Sequence, residues 1–251
     1  GICSECHLCV QVCKREAIDH QQAPVEEELE VGSVILSPGY SLYNPELSPE
    51  LGYGRYANVV TSMEFERMLS ASGPWGGHLT RRSLDHREPK KIAFLQCVGS
   101  RDVHEGAKAY CSAVCCTYAI KEAVVAKEHS KEPLDTAIFY IDMRTYGKDF
   151  ERYYNRAEEA GVRFIKSRIT QIVPKETGDL LIHYTDETGK RVEETFDLVV
   201  LSVGIGVSKD AMDLAKKLDI HLDPYSFTST SSFEPVRTSR PGVFVCGAFQ
   251  A

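Results

Sequence analysis

The chain has 251 residues, 43% hydrophobic and 26% charged, which is enough for one large or two modest domains with real cores. A net charge of −7 without any basic run excludes the electrostatic footprint of a nucleic-acid binder. Nine cysteines, odd in number and clustered, exclude a secreted disulfide framework and point to metal or redox work in a reducing, cytoplasmic setting.

Residues 1–18 read GICSECHLCVQVCKREAI. Cys3, Cys6, Cys9 and Cys13 follow C-x2-C-x2-C-x3-C, the ferredoxin run in which three close thiolates wrap one [4Fe-4S] cluster and the fourth serves another. Lys14 stands where ferredoxins usually carry proline. A zinc site using the same thiols, or a metal-free cysteine run, are the other readings. The thiolates needed to complete both clusters are absent nearby. The chain is therefore expected to begin inside a two-cluster module, as a piece of a longer polypeptide or with its other half on another chain. A start in cysteines is not a signal peptide.

Ala23–Glu30 (APVEEELE) reads as an acidic, solvated connector. Val31–Tyr40 gives an apolar strand ending in Ser37-Pro38-Gly39, where Gly39 permits either a plain turn or close backbone approach to a ligand. Tyr40–Asn58 reads as loop, and Ser62–Ser70 as a short helix with a serine start. Ser72–Gly77 (SGPWGG) is a flexible loop around Trp75, which either stacks on a planar cofactor or covers the core. Arg81, Arg82, Arg87 and Lys90 read as a small solvated basic patch.

Lys90–Ala126 organises the chain. Ile92–Gln96 is a buried strand entering a Gly-Ser turn, and Cys111–Ala126 has helical spacing. On such a helix Cys111 and Cys115 share a face, and Cys116 lies about 100° round from Cys115. Cys97 ends the strand, at the edge where open α/β sheets bind ligands. Four thiolates could converge there on zinc or an iron–sulfur cluster, against the reading of four small buried hydrophobes.

Thr136–Ile141 and Val162–Lys166 are further strands flanking an amphipathic helix over Asp149–Ala160, so residues 92–166 read β-α-β-α-β with a parallel sheet. Asp142, Arg144 and Tyr146 either line a ligand crevice or make local turn contacts. Thr170–Val200 reads as hairpin-linked strands turning at Glu187-Thr188-Gly189. Asp197–Ser202 leads into Val203-Gly204-Ile205-Gly206, Ala211–Leu218 is a short helix, and Phe227–Arg240 is irregular. Pro241–Ala251 (PGVFVCGAFQA) ends in a strand and a Gly-Ala turn, a stop expected of a truncated chain. Cys246 has no sequence partner and reads as packing. No complete G-x-G-x-x-G occurs, so no pyrophosphate site is expected. The longest apolar stretch, Leu198–Val207, is too short to span a bilayer.

These blocks together (CSECHLCVQVC, VILSPGY, EFERMLSASGP, KKIAFLQCVGSRD, YCSAVCC, FYIDMRTYGKDFE, DLVVLSVG and TSRPGVFVCGAFQA) resemble the heterodisulfide reductase A-subunit family, including quinone-interacting oxidoreductase subunits. The resemblance implies an α/β fold: a thioredoxin-reductase-like two-domain flavoprotein core of Rossmann-like βαβ units plus a β-meander, with a partial ferredoxin-like segment at the N-terminus. The expected domains are 1–24 (ferredoxin-like), 25–88 (part of the FAD-binding domain), 89–205 (Rossmann-like cysteine domain with the meander) and 206–251 (return to the FAD-binding domain). It assigns Cys97, Cys111, Cys115 and Cys116 as cluster ligands beside those of the ferredoxin run. FAD is expected near Gly39, Ser72, Gly73, Trp75, Gly247 and Ala248, although the family's dinucleotide fingerprint is missing here.

The function implied is an electron-transfer subunit of a heterodisulfide-reductase-like complex in anaerobic metabolism, an oxidoreductase passing electrons between FAD and [4Fe-4S] clusters. Its partners would be other subunits of the complex and redox proteins such as ferredoxin, with a homodimer also compatible. No acid–base residue is assigned. Two rivals are an NAD(P)H-dependent dithiol–disulfide flavoenzyme using Cys115-Cys116, and a zinc-stabilised scaffold.

Overall fold

The computed structural model describes residues 4–250, and Cys3, one of the expected ligands, lies outside the described residues. The chain divides between Val34 and Ile35 into two compact units. In the first, α1 (Leu8–Val12) is a single turn that buries no side chain and opens from His7 in the left-handed conformation. The connector that follows is extended and exposed, as its charge pattern predicts.

From β1 (Val34–Leu36), which begins at the division, the chain runs β2 (Ser41–Leu42), two 3-10 turns, β3 (Val59–Thr61), α2 (Ser62–Leu69), β4 (Lys91–Val98), α3 (Cys115–His129), β5 (Asp135–Tyr140), α4 (Phe150–Glu159) and β6 (Val162–Lys166). The chain continues through β7 (Ile172–Pro174), β8 (Leu180–Thr185), β9 (Arg191–Phe196), β10 (Leu198–Val203), β11 (Ile205–Gly206), α5 (Lys209–Lys217) and β12 (Val243–Val245). The expected loop over Tyr40–Asn58 thus holds a strand and two 3-10 turns; β2 is fixed there because β11 offers it an antiparallel partner.

The central sheet is parallel, in the order β3-β10-β4-β5-β6. Such sheets are covered on both faces, so their strands read as continuous apolar runs. β4 shows why the alternation still matters. Ile92 and Phe94 enter the core beneath α2, α3 and α4, whereas Ala93 and Leu95 enter the core shared with Phe196 and Ile182 of the antiparallel β7-β8-β9 layer. β10 leaves that layer and inserts between β3 and β4, where all six of its residues are buried.

The N-cap of α2 is Thr61 rather than the expected Ser62, because Thr61 and Glu64 form a reciprocal capping box. Ser62 becomes the first helical residue, with its hydroxyl aimed at Leu201 C=O, 3.3 Å away. The expected solvated basic patch is corrected at Arg81, which is 0% exposed and held by Asp85, Asp179 and Asp197. Among the described residues no helix is long and apolar enough to cross a membrane.

Candidate functional site

The C-terminal ends of β4 and β10 meet at a turn that needs unusual backbone. Pairing slips between Leu201↔Leu95 and Val203↔Val98, so β4 bulges at Cys97, whose φ is 62°. Gly99 follows at φ 68°, and a Cβ there would sit 2.1 Å from the Tyr43 ring. A Cβ on Gly204 would meet Gly99 C=O at 3.0 Å, so both turns approach as closely as glycine allows.

The loop after Gly99 then folds back. Lys108 N–H donates to Gly99 C=O, and Arg101 N–H donates to Tyr110 C=O, both at 3.0 Å. This return brings Cys111 beside Cys97. Here the expected helix over Cys111–Ala126 is corrected: α3 begins only at Cys115. Ala113 is left-handed (φ 62°) and the Ser112 hydroxyl accepts the Ile205 N–H at 2.9 Å, which holds this segment out of helical geometry. Cys111 therefore reaches the site from a loop. Cys115 and Cys116 occupy the first turn of α3, where unpaired N–H groups and the helix dipole favour anionic sulfur.

Cys97, Cys115 and Cys116 are buried, and burial pushes each thiol up, Cys115 to about 11. Each also feels the others: Cys97 feels Cys111, while Cys115 and Cys116 each feel both Cys97 and Cys111. The four sulfurs are therefore neighbours around one turn. Opposing pulls come from Arg101 on Cys97, the Tyr118 hydroxyl on Cys115 and the Arg144 backbone N–H on Cys116. Among the described residues no three His, Cys, Asp or Glu side chains stand close enough to hold a single metal ion. Four thiols around one turn are the donor type of an iron–sulfur cluster, whose irons each take one thiolate, rather than of a single zinc ion, and a bound metal deprotonates thiols that burial otherwise keeps neutral. In donor chemistry the residues fit a cluster.

Asp142 and Arg144 border this site. Asp142 pairs with Arg101 and, at 3.1 Å, with Arg144, and its C=O lies 4.0 Å from Cys116 Sγ. Tyr146 is exposed. On the other side of Cys97 a cleft of about 470 Å³ opens between Tyr43, Leu51, Leu95, Phe139, Asp102 and Arg168.

The residues expected at a flavin divide into two groups. Gly39 (φ 77°) and Gly247 (φ 69°) have nothing within 4 Å of an added Cβ, and they follow strands joined by the Cys246 N–H bond to Leu36 C=O at 3.0 Å. Ala248 lies in the 3-10 turn Gly247–Phe249. At Gly39 and Gly247 the backbone is open, with a positive φ and no atom close to an added Cβ. Cys246, expected to be buried packing, is half-buried with its sulfur 2.9 Å from the Ser37 hydroxyl.

Ser72, Gly73 and Trp75 are not brought to that place. They follow α2, which runs from the C-terminal edge of the sheet to its N-terminal edge. There Ser72 receives the Arg67 guanidinium at 2.9 Å, a Cβ on Gly73 would meet Arg67 C=O at 2.1 Å, and Trp75 lies against the helix-side core. His129, at the far end of α3, bonds Gly77 C=O at 3.0 Å, which fixes this loop at the opposite end from the cysteines. Packing of the α2 terminus accounts for all three residues.

In the first unit Cys6 and Cys9 are exposed and Cys13 is half-buried. The Leu8 backbone N–H lowers the Cys6 thiol, and those of Ala17 and Arg15 lower Cys13. Cys9 Sγ lies 3.2 Å from His20 Nε2. Backbone N–H groups aimed at sulfur suit thiolates.

Sequence reasoning missed a polar row behind the sulfurs: half-buried Tyr118 and buried Glu122 on α3, and buried Ser62 on α2. Its signal was present, since Cys115, Tyr118 and Glu122 recur at i, i+3 and i+7 of one helix face.

No protein-family model matches the chain. Among curated proteins, the A subunit of the H2:CoB-CoM heterodisulfide, ferredoxin reductase of Methanothermobacter marburgensis is 39% identical over 252 residues, covering 99% of this chain. The iron-sulfur A subunit of the CoB–CoM heterodisulfide reductase of Methanocaldococcus jannaschii is 41% identical with the same coverage, and an iron-sulfur A subunit of the Methanopyrus kandleri enzyme is 44% identical over 94% of the chain. The chain spans 38%, 38% and 36% of those relatives' lengths. Among solved structures, Lactococcus lactis thioredoxin reductase matches 86% of this chain and 57% of that one, with a TM-score of 0.50 at 17% identity, a likeness of fold. The parallel sheet with its antiparallel layer, the cysteine turn and this identity along nearly the whole chain lead to one assignment: the chain belongs to the heterodisulfide reductase A-subunit family.

Proposed function

We propose that this chain is part of an electron-transfer subunit of a heterodisulfide-reductase-like complex, in which Cys97, Cys111, Cys115 and Cys116 hold one iron–sulfur cluster. The placing of these four cysteines around the turn after β4, where Cys97, Cys115 and Cys116 each feel the charge of Cys111, supports the reading. Cys6, Cys9 and Cys13, with Cys3, would hold ferredoxin-type iron. Gly39, Gly247 and Ala248 would meet a flavin. Thiolate-held clusters exchange single electrons, and a flavin splits two-electron chemistry into single steps.

The chain's own residues set the conditions for that exchange. Cys115 and Cys116 stand in the first turn of α3, at the end of the helix that carries its free N–H groups and the positive end of its dipole. Arg101 and Arg144, paired through Asp142, place positive charge beside sulfurs that become anionic when they ligate metal. Burial of Cys97, Cys115 and Cys116 keeps water from the sulfurs, which is one of the controls on a cluster's potential. The partners proposed are other subunits of such a complex and a ferredoxin-like carrier, in the cytoplasm.

The test is anaerobic purification followed by iron, labile-sulfide and zinc analysis with visible spectroscopy. Brown protein containing iron and sulfide in equal amounts is expected, with the content reduced when Cys97 is replaced by serine. A colourless protein holding only zinc sinks the proposal.

A further inference from the structure

Leu95 and Phe139 lie on the face of the central sheet that meets the β7-β8-β9 layer, so the cleft of about 470 Å³ beside Cys97 opens toward that face and not toward the helices. Its walls are apolar and fixed by packing. Leu51, Leu95 and Phe139 are 5%, 2% and 1% exposed, and the rings of Tyr43 and Phe139 offer flat surfaces. The Tyr43 hydroxyl is bonded to the Ser48 hydroxyl at 3.0 Å, which holds that ring in place. A cleft of this volume has the size of a small-molecule site.

Three polar residues converge on it: Asp102, His104 and Arg168. Asp102 N–H donates to Lys108 C=O at 3.1 Å, within the fold-back after Gly99. Its carboxylate accepts the His104 N–H at 3.1 Å, meets the His104 ring at Nδ1, and pairs with Arg168 through Nη2. Burial works against this charge, yet the His104 and Arg168 contacts hold the carboxyl at about 2. Asp102 therefore braces Arg168 at the cleft while using one guanidinium nitrogen. Among the described residues Nε and Nη1 of Arg168 have no hydrogen-bond partner, and the side chain is partly exposed. An arginine held by one carboxylate with donors to spare suits a second, because its planar fork matches that group. Asp102 and exposed Glu50 both line the cleft, so a ligand with two negative charges meets repulsion.

We propose that this cleft is a small-molecule site for a monocarboxylate with a flat apolar body, the body against Tyr43, Leu51 and Phe139 and the carboxylate on Arg168. The site goes beyond the electron-transfer reading and does not depend on metal at the thiols. Cys97 and Gly99 form part of its wall, so a bound molecule lies against the turn that carries the first of the four cysteines. Covered apolar area supplies the affinity, and Arg168 supplies the orientation and the choice of charge.

The test uses the full chain with naphthoate as probe, and naphthylmethanol and a naphthalene dicarboxylate for comparison, read by calorimetry and saturation-transfer NMR. The parent is expected to bind one naphthoate per chain and the other two at least about tenfold more weakly. Arg168→Gln is expected to weaken naphthoate by a similar factor and to leave naphthylmethanol unchanged. Thr170→Trp, at an exposed lining position, fills the cleft and is expected to abolish binding of all three. Leu47→Trp does the same from a second exposed lining position, with circular dichroism to establish that each variant is folded. A parent that binds no naphthoate, or one that binds it equally well after Arg168→Gln, overturns the inference whatever the thiol sets hold. Naphthoate binding retained by a folded, cleft-filled variant overturns it as well.

Discussion

The guanidinium of Arg81 stands 2.7 Å from the Asp179 carboxylate, an ion pair that ties the loop before β4 to the turn between β7 and β8. The same Nη1 lies 3.3 Å from Asp197, whose other oxygen accepts the Lys90 and Lys91 N–H groups at 2.9 Å each. Arg81 also donates to Thr177 C=O and the Ser83 hydroxyl. A buried arginine satisfied this fully is costly to remove, because its carboxylate partners are left uncompensated. Arg81→Ala is expected to cost about 3–5 kcal/mol in urea unfolding at pH 7. A loss below about 1 kcal/mol contradicts this account.

That arginine also shows where sequence reading stops. Its partners are 98 and 116 residues away, and no local pattern distinguishes it from exposed Arg87 next door. The strands were legible because a doubly covered parallel sheet writes continuous apolar runs, and the cysteine turn because its thiols cluster within twenty residues. The start of α3 was not legible. It depends on Ser112 meeting Ile205, a contact made only once β10 has inserted beside β4. The place of Ser72–Trp75 follows from the direction of α2 across the sheet, which composition does not encode.

The turn that positions Cys97 depends on Gly99. Its φ of 68° is costly for any residue with a Cβ, and that atom would collide with the Tyr43 ring. Gly99→Ala is expected to lower stability by about 1–3 kcal/mol from backbone strain alone. The clash should add to this and loosen the Cys97 site. Thermal unfolding measures the first effect, and iron retained after desalting measures the second. A double variant with Tyr43→Ala should recover part of the clash and none of the strain.

Acid stability should report on Asp102. Burial alone would raise this carboxyl, but the His104 ring and backbone N–H and the Arg168 guanidinium outweigh it and hold it at about 2. A folded-state value below the unfolded one means stability that is present at neutral pH and lost as pH falls from about 4 through 2. Asp102→Asn should remove that part of the acid transition while leaving the slope near pH 7 unchanged. An unaltered acid limb would contradict the assignment.

Glu122 should act on stability with the opposite sign. Its folded value lies above the unfolded one, so the folded chain binds the extra proton between about pH 4.5 and 9. Stability then falls as pH rises through that window, by at most about 1.4 kcal/mol per pH unit. Glu122→Gln removes the penalty, so the variant should gain on the parent steadily from pH 5 to pH 8. Parallel stability curves for the two proteins would show that Glu122 is not held protonated.

The cysteines offer the sharpest separation, since each reading assigns them differently. Replacing Cys97, Cys111, Cys115 or Cys116 singly by serine should each remove the same fraction of bound iron and sulfide, because one missing thiolate opens a four-thiolate site. Replacing Cys6, Cys9 or Cys13 should remove a different fraction, leaving the second set loaded. Cys246 is bonded to the Ser37 hydroxyl and belongs to neither proposed set, so Cys246→Ser should leave the metal content unchanged. Anaerobic iron and sulfide counts on these eight variants decide the matter. If Cys111→Ser retains full iron, the loop that carries it past Ser112 serves only packing, and the four-thiol site is wrong.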